Sequence, residues 1–139
     1  MNACSRFTLT PGRVAFLRAG VNDGSKEAYE FTEINRTLSA GVSIQGKSWG
    51  RPDDTLGIAG AANGLSGDAR AYFGAGGIGI LIGDGRLNYG AEKIFEAFYS
   101  VRLHEGVTFS VDYQHINNPA YNRDRGPVSI YGIRAHAEF

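Results

Sequence analysis

From residue 127 to its final position the chain reads PVSIYGIRAHAEF, alternating in polarity at every second residue. Steps of two back from Phe139 give Ala137, Ala135, Ile133, Tyr131 and Ser129, while the intervening positions give Glu138, His136, Arg134, Gly132 and Ile130. Successive side chains point to opposite faces of a strand, so one face here is mostly apolar and the other mostly polar. Such a segment suits a strand with lipid outside and water inside, and equally a half-buried strand of a soluble sheet. What separates the two is whether the pattern repeats.

It repeats upstream. Residues 106–118 (GVTFSVDYQHINN) set Val107, Phe109, Val111 and Tyr113 against Thr108, Ser110, Asp112 and Gln114. Residues 94–103 (IFEAFYSVRL) set Phe95, Ala97, Tyr99, Val101 and Leu103 against Glu96, Phe98, Ser100 and Arg102, with a His104-Glu105-Gly106 turn between the two segments. A helix over 91–101 is the alternative, since Glu-Lys is a helix-friendly start, but aromatic enrichment and the strand that follows favour β. Residues 54–63 oppose Leu56, Ile58, Gly60 and Ala62 to Thr55, Gly57, Ala59 and Ala61. Residues 37–47 oppose Leu38, Ala40, Val42 and Ile44 to Ser39, Gly41, Ser43, Gln45 and Lys47, and SWGRPD at 48–53 supplies a turn. The first candidate strand, 13–21, sends Ala15, Leu17, Ala19 and Val21 one way and Phe16 and Arg18 the other, in a phase open to inversion.

The sequence thus predicts an all-β antiparallel barrel segment of about six strands of transmembrane length. The 20 glycines and 12% aromatics, against only 4 prolines, fit a sheet with many tight turns. With 14 basic and 14 acidic side chains in 139 residues, charge points to no nucleic-acid partner. No window approaches the roughly 18 to 20 apolar residues of a spanning helix, whereas barrel strands need only about 9 to 11 each. The start, MNACSRFTLTPGR, lacks the apolar core of a signal peptide, and Cys4, the lone cysteine, has no intrachain disulfide partner. Connections alternate between short (48–53, 104–106) and long (22–36, 64–90, 118–126), the rhythm of short periplasmic turns and long outer loops, which would place both chain ends in the periplasm. About six strands are too few to close a barrel, and open edges in lipid are costly. The expectation is therefore one domain-sized stretch, 1–139, that is the carboxyl-terminal part of a larger barrel, incomplete without amino-terminal strands or other copies.

Three stretches, WGRPDDTLGIAGAANGLS (49–66), GGIGILIGDGRLNYGAEKIFEAFYSVRL (76–103) and VDYQHINNPAYNRDRGPVSIYGIRAHAEF (111–139), resemble the carboxyl-terminal part of the carbohydrate-selective outer-membrane porins of the OprB type. The shared features are an Arg-Pro-Asp-Asp turn leading into a Gly-rich strand, an acidic residue opening the third-from-last strand, an aromatic strand running into an Asn-Pro loop, and a terminal Phe. The resemblance implies a sixteen-stranded barrel passing sugars by diffusion, with the outer-membrane lipid and the barrel-assembly machinery as partners. It also implies that Phe139 belongs to the signal this machinery reads.

Alternation assigns Arg18, Lys47, Glu96, Arg102, Asp112 and Arg134 to the polar face, where charges pair across strands or, with Phe16 and Phe98, line a pore. In the pore reading, charged groups meet sugar hydroxyls and aromatic rings pack on sugar C–H faces. GAGGIG at 74–79 matches the dinucleotide fingerprint but lacks the strand before and helix after that the motif requires. The histidines His104, His115 and His136 fall on a turn and on opposite faces, which argues against a shared metal, and no catalytic set or cofactor is expected. The competing reading is a soluble β-sandwich carbohydrate-binding module, which would bury the apolar face under a second sheet. A third, an outer-membrane enzyme or adhesin barrel, is disfavoured by the lack of catalytic residues. Tyr99, Tyr113, Tyr131 and Phe139 on the apolar face suit the aromatic girdles of a barrel.

Overall fold

The computed structural model describes residues 2–24, 33–80 and 82–138. Seven strands, β1 (Asn2–Thr10), β2 (Arg13–Val21), β3 (Arg36–Gly46), β4 (Arg51–Gly64), β5 (Glu92–His104), β6 (Val107–Asn117) and β7 (Val128–Ala137), form one antiparallel sheet in chain order. A short helix, α1 (Gly67–Gly74), lies in the longest connection. From Glu92 onward the segment for which a helix was the alternative is strand, and no described helix is long and apolar enough to cross a membrane.

The strand count exceeds the expected six by one, because β1 occupies the amino-terminal stretch ahead of the first expected strand. Its alternation is faint: Arg6 and Thr8 oppose Phe7 and Leu9, but Cys4 and Ser5 differ little in polarity. Pro11 and Gly12 then turn it into β2, with Gly12 at a φ of +83° that only glycine adopts freely. The seventh strand also corrects the placement of the ends. Asn2 pairs with Gly20 at the long-loop end, and Ala137 pairs with Val107 at the short-turn end, so the first and last strands open and close on opposite sides.

Register makes the faces continuous. One row runs Phe7, Ala15, Val42, Ile58, Ala97, Tyr113, Tyr131, and another runs Arg13, Ile44, Leu56, Tyr99, Val111, Ile133. These rows belong to a single apolar face, and it is bare: Phe7, Leu17, Leu38, Ile58, Phe95, Val111, Tyr131 and Ile133 are all exposed, Tyr131 at 80%. A soluble sandwich would cover this face with a second sheet, and the described residues contain one sheet only.

The buried apolar side chains lie instead at the long-loop end. Leu65, Phe73, Ile82 and Tyr121 form a small core, with Ala69, Leu87, Tyr89 and Ala120 packed on it. Ser66 caps α1 by accepting from the Ala69 N–H (3.2 Å). Burial pushes the Tyr121 phenol well above its usual range. Polar ties join the three long connections: Asn35 accepts from the Ser66 N–H, Asp84 accepts from Asn122 and Arg125, and Asn88 donates to Asp124. The GAGGIG run follows α1 rather than preceding a helix, which reverses the order a nucleotide site needs.

The opposite end is held differently. Asp54 is 1% exposed, and its carboxylate accepts from the Arg51 guanidinium, the Tyr99 hydroxyl (2.7 Å) and the Arg102 backbone N–H (3.1 Å). Trp49 donates to the same Tyr99 oxygen (3.1 Å), and Arg102 lies 3.5 Å from Asp53. The Arg-Pro-Asp-Asp stretch is thus a clamp that fastens the turn after β3 to β5.

Candidate functional site on the polar face

Strand parity carries the polar residues to one side of the sheet. Register aligns Arg6, Phe16, Gly41, Ala59, Glu96 and Gln114 in one row and Thr8, Val14, Ser43, Gly57, Phe98 and Asp112 in the next. Arg18 stands opposite Ser39, Arg134 opposite Ser110, and Arg102 opposite Thr108, all on this same face. The phase of β2 is therefore the one in which Phe16 and Arg18 share the side of Glu96 and Phe98.

The face is laced by cross-strand polar contacts. Thr37 donates to Asn63 (2.8 Å), which donates to Glu92 (3.1 Å), whose other oxygen accepts from the Ala120 N–H (2.9 Å). That last bond secures a run in which Asn118, Ala120 and Tyr121 all adopt positive φ near +50 to +60°, a costly conformation for residues with a Cβ. The acidic residue that opens β5 is thereby a structural tie between the sheet wall and the loop above it. Further along the face Ser110 donates to Ser100 (3.0 Å) and Gln114 donates to Glu96 (3.3 Å).

Within this face lies a groove of about 480 Å³ whose walls include Arg6, Phe16, Gln45, Thr55, Glu96 and Phe98. Its floor is made of small residues for a steric reason. A Cβ on Gly41 would come within 2.5 Å of the Phe16 ring, and one on Gly57 would collide with several carbons of the Phe98 ring. Each phenylalanine is the register partner of the glycine it covers.

Of the residues singled out in the sequence, the structure gathers Phe16, Glu96 and Phe98 at the groove. Arg18, Arg102, Asp112 and Arg134 share the face but lie outside the groove. Lys47 departs from its expected place: Gly46 ends the ladder with a register shift, and Lys47 opens the 3-10 turn Lys47–Trp49 instead of facing the groove. Phe139 lies outside the described residues. Arg6 was missed because its strand was missed. Asp54 and Glu92 were legible only as family-like turn and strand-start features, their roles depending on partners about 30 to 50 residues away. The histidines His104, His115 and His136 lie on three different stretches, and the described residues hold no cluster able to bind a metal.

Comparison with known families decides the affiliation. The family model of the carbohydrate-selective porins, OprB family, matches residues 4–139. The chain belongs to that family. Comparison with curated proteins and with solved structures finds no match. The porin affiliation agrees with a single antiparallel sheet whose one face is apolar and bare and whose other is polar, the arrangement an outer-membrane β-barrel uses. Porin families are typically not enzymes, and their cargo here is carbohydrate by the family's description.

Proposed function

We propose that these strands form part of the wall of a β-barrel pore through which sugars diffuse passively across the outer membrane. The apolar face meets lipid, the polar face lines water, and the short turns lie on the periplasmic side. One observation carries this reading: register gathers Phe7, Leu17, Leu38, Ile58, Phe95, Val111, Tyr131 and Ile133 on one uncovered face and Arg6, Arg18, Glu96, Arg102, Asp112 and Arg134 on the other, although Val14, Phe16, Phe98 and Ile130 also stand on the polar side and Arg13 and Lys93 on the apolar one. Because β1 and β7 do not pair with one another, the wall closes only with further strands, as unpaired edges in lipid cost several kcal/mol per unsatisfied group.

In this reading Arg18, Glu96, Phe98, Arg102, Asp112 and Arg134 face the aqueous lumen, and Lys47 sits at its short-turn rim. Phe139 at the end of the last strand serves the assembly machinery as a recognition element. The test is liposome swelling with the assembled barrel. Swelling in glucose that is linear with concentration, and that slows with increasing sugar size, is the expected result. Vesicles that swell no faster than protein-free ones contradict it.

A further inference from the structure

The apolar face changes character at its long-loop end. Strand parity puts Arg36, the first residue of β3, on the side of Leu38 and Ala40, and Lys93 of β5 on the side of Phe95 and Ala97. Both are exposed. Between them β4 offers only Ala62, which pairs with Lys93, and Gly64, which pairs with Arg36. With strands about 4.8 Å apart and residues about 3.4 Å apart along each, the two backbone positions lie roughly 12 Å from one another, within the combined reach of an arginine and a lysine side chain. A Cβ on Gly64 would stand 3.2 Å from the Tyr89 hydroxyl and 4.0 Å from the Arg36 Cβ, so that hydroxyl sits over the same notch. The exposed Arg70 of α1 in turn holds its guanidinium 4.0 Å from the centre of the Tyr89 ring.

A lone basic residue at a strand end is explained by its charge reaching out of the apolar layer toward water. Here three cations, from β3, α1 and β5, stand around one notch, and among the described residues none of them forms an ion pair with a carboxylate. Glu92, the neighbour of Lys93, turns to the other face, where it accepts from Asn63 and the Ala120 N–H. The short-turn end shows the reverse, with Arg51 matched by the buried Asp54 carboxylate. Height agrees as well. From Lys93 to Leu103 of β5, on strands tilted by about 40°, is roughly 26 Å along the membrane normal, against about 25 Å for the apolar band of a barrel.

We propose that this notch binds the phosphate of an anionic lipid in the outer leaflet, which rests on the reading that the apolar face meets lipid and the long loops lie outside. Arg36 and Arg70 offer planar donor pairs to phosphate oxygens, Lys93 adds a point charge, and the Tyr89 hydroxyl donates from the side. The small side chains of Ala62 and Gly64 leave room for the headgroup, and the bare apolar band beneath receives the acyl chains.

The test is native mass spectrometry of the assembled barrel in non-ionic detergent, titrated with lipid A, a glycolipid carrying two phosphates, and with dephosphorylated lipid A, with liposome swelling in parallel. Lipid A is expected to bind at lower concentration than its dephosphorylated form. A basic residue at a membrane surface changes binding by about fivefold, so Arg36→Gln and Lys93→Gln are each expected to weaken lipid A binding by roughly that factor and the double variant by more. Lys93→Arg is expected to retain it. Arg13→Gln, which removes a cation from the opposite end of the same face, is expected to leave it unchanged. Each single variant serves if the double variant does not assemble. Equal lipid A binding by the wild type and the glutamine variants at 36 and 93 overturns the site, as does equal binding of lipid A and its dephosphorylated form or an equal loss in Arg13→Gln, and in each case swelling in glucose leaves the pore reading standing. A barrel that supports no swelling overturns both.

Discussion

The two ends of the sheet are built on opposite principles. At the short-turn end a single buried carboxylate, Asp54, gathers donors from Arg51, Tyr99 and the Arg102 backbone, with Trp49 and Tyr99 packed beside it at a ring separation of 6.3 Å. At the long-loop end the work is spread over a small apolar core, a capped helix, the Arg70 guanidinium stacked 4.0 Å over the Tyr89 ring, and several half-exposed polar ties. A short turn has too few side chains to bury a core, so it relies on a buried group with several hydrogen bonds, which is strong when complete and fragile when any part is lost. Long connections contain enough apolar residues to bury one another, and their stability degrades by degrees.

That contrast can be broken experimentally, beginning with the largest effect. Asp54→Ala removes the acceptor from three donors at once, the Arg51 guanidinium, the Tyr99 hydroxyl and the Arg102 N–H, so the turn is expected to detach from β5. Heat-modifiable gel mobility should show the folded form melting at a lower temperature than in any variant below, and an unchanged transition would mean the clamp is dispensable. Next comes Leu65→Ala, at a fully buried position, with an expected cost of about 2–5 kcal/mol. Its damage should stay local, with faster protease cleavage in 65–91 and 118–127 and an unaltered sheet by circular dichroism. Loss of the sheet signal would show that the loop core supports the wall.

The smallest effect belongs to Asp84. Its carboxyl is held below the ordinary value of 3.8 by hydrogen bonds from Arg125 and then Asn122. A carboxylate favoured in the folded state contributes stability that is full above its unfolded pKa and is lost as pH falls through the lower folded value. Loop protection measured by hydrogen exchange over 82–90 should therefore be flat at neutral pH and decline only below about pH 4. Asp84→Asn should flatten that acid limb while changing neutral protection little, since the pair is partly solvated. An equal acid response in the variant would assign it to another carboxylate.

Much of the wall was legible in the sequence, and unevenly so for physical reasons. The strands β5, β6 and β7 declared themselves because apolar and polar residues alternate over most of their length, most cleanly from Val107 to Gln114. β1 was hidden because Ala3, Cys4 and Ser5 near its start are all small, and only pairing with β2 reveals their sides. The end of β3 was overrun by one residue, to Lys47, because periodicity has no term for the glycine-mediated register shift that stops the ladder. Phe98 falls on the polar face that alternation indicates, whereas the side of Phe16 was open until pairing of β2 with β3 settled it. Their arrangement over Gly41 and Gly57 was not legible, since it depends on register between neighbouring strands. The loop core was least accessible of all: Leu65, Phe73, Ile82 and Tyr121 follow no period and meet only because the loops fold on one another.

If these strands wall a pore, the apolar face of the sheet meets lipid and the polar face meets water. Ser110 and Val111 are neighbours on β6 that point to opposite faces, which makes them a matched pair of probes. Single cysteines placed by Ser110→Cys and Val111→Cys, with Cys4 replaced by serine, can be exposed in the assembled barrel in vesicles to a water-soluble, membrane-impermeant thiol reagent. Rapid labelling at 110 and protection at 111 are expected, with both sites labelled after denaturation. Labelling at 111 with protection at 110 would contradict this arrangement.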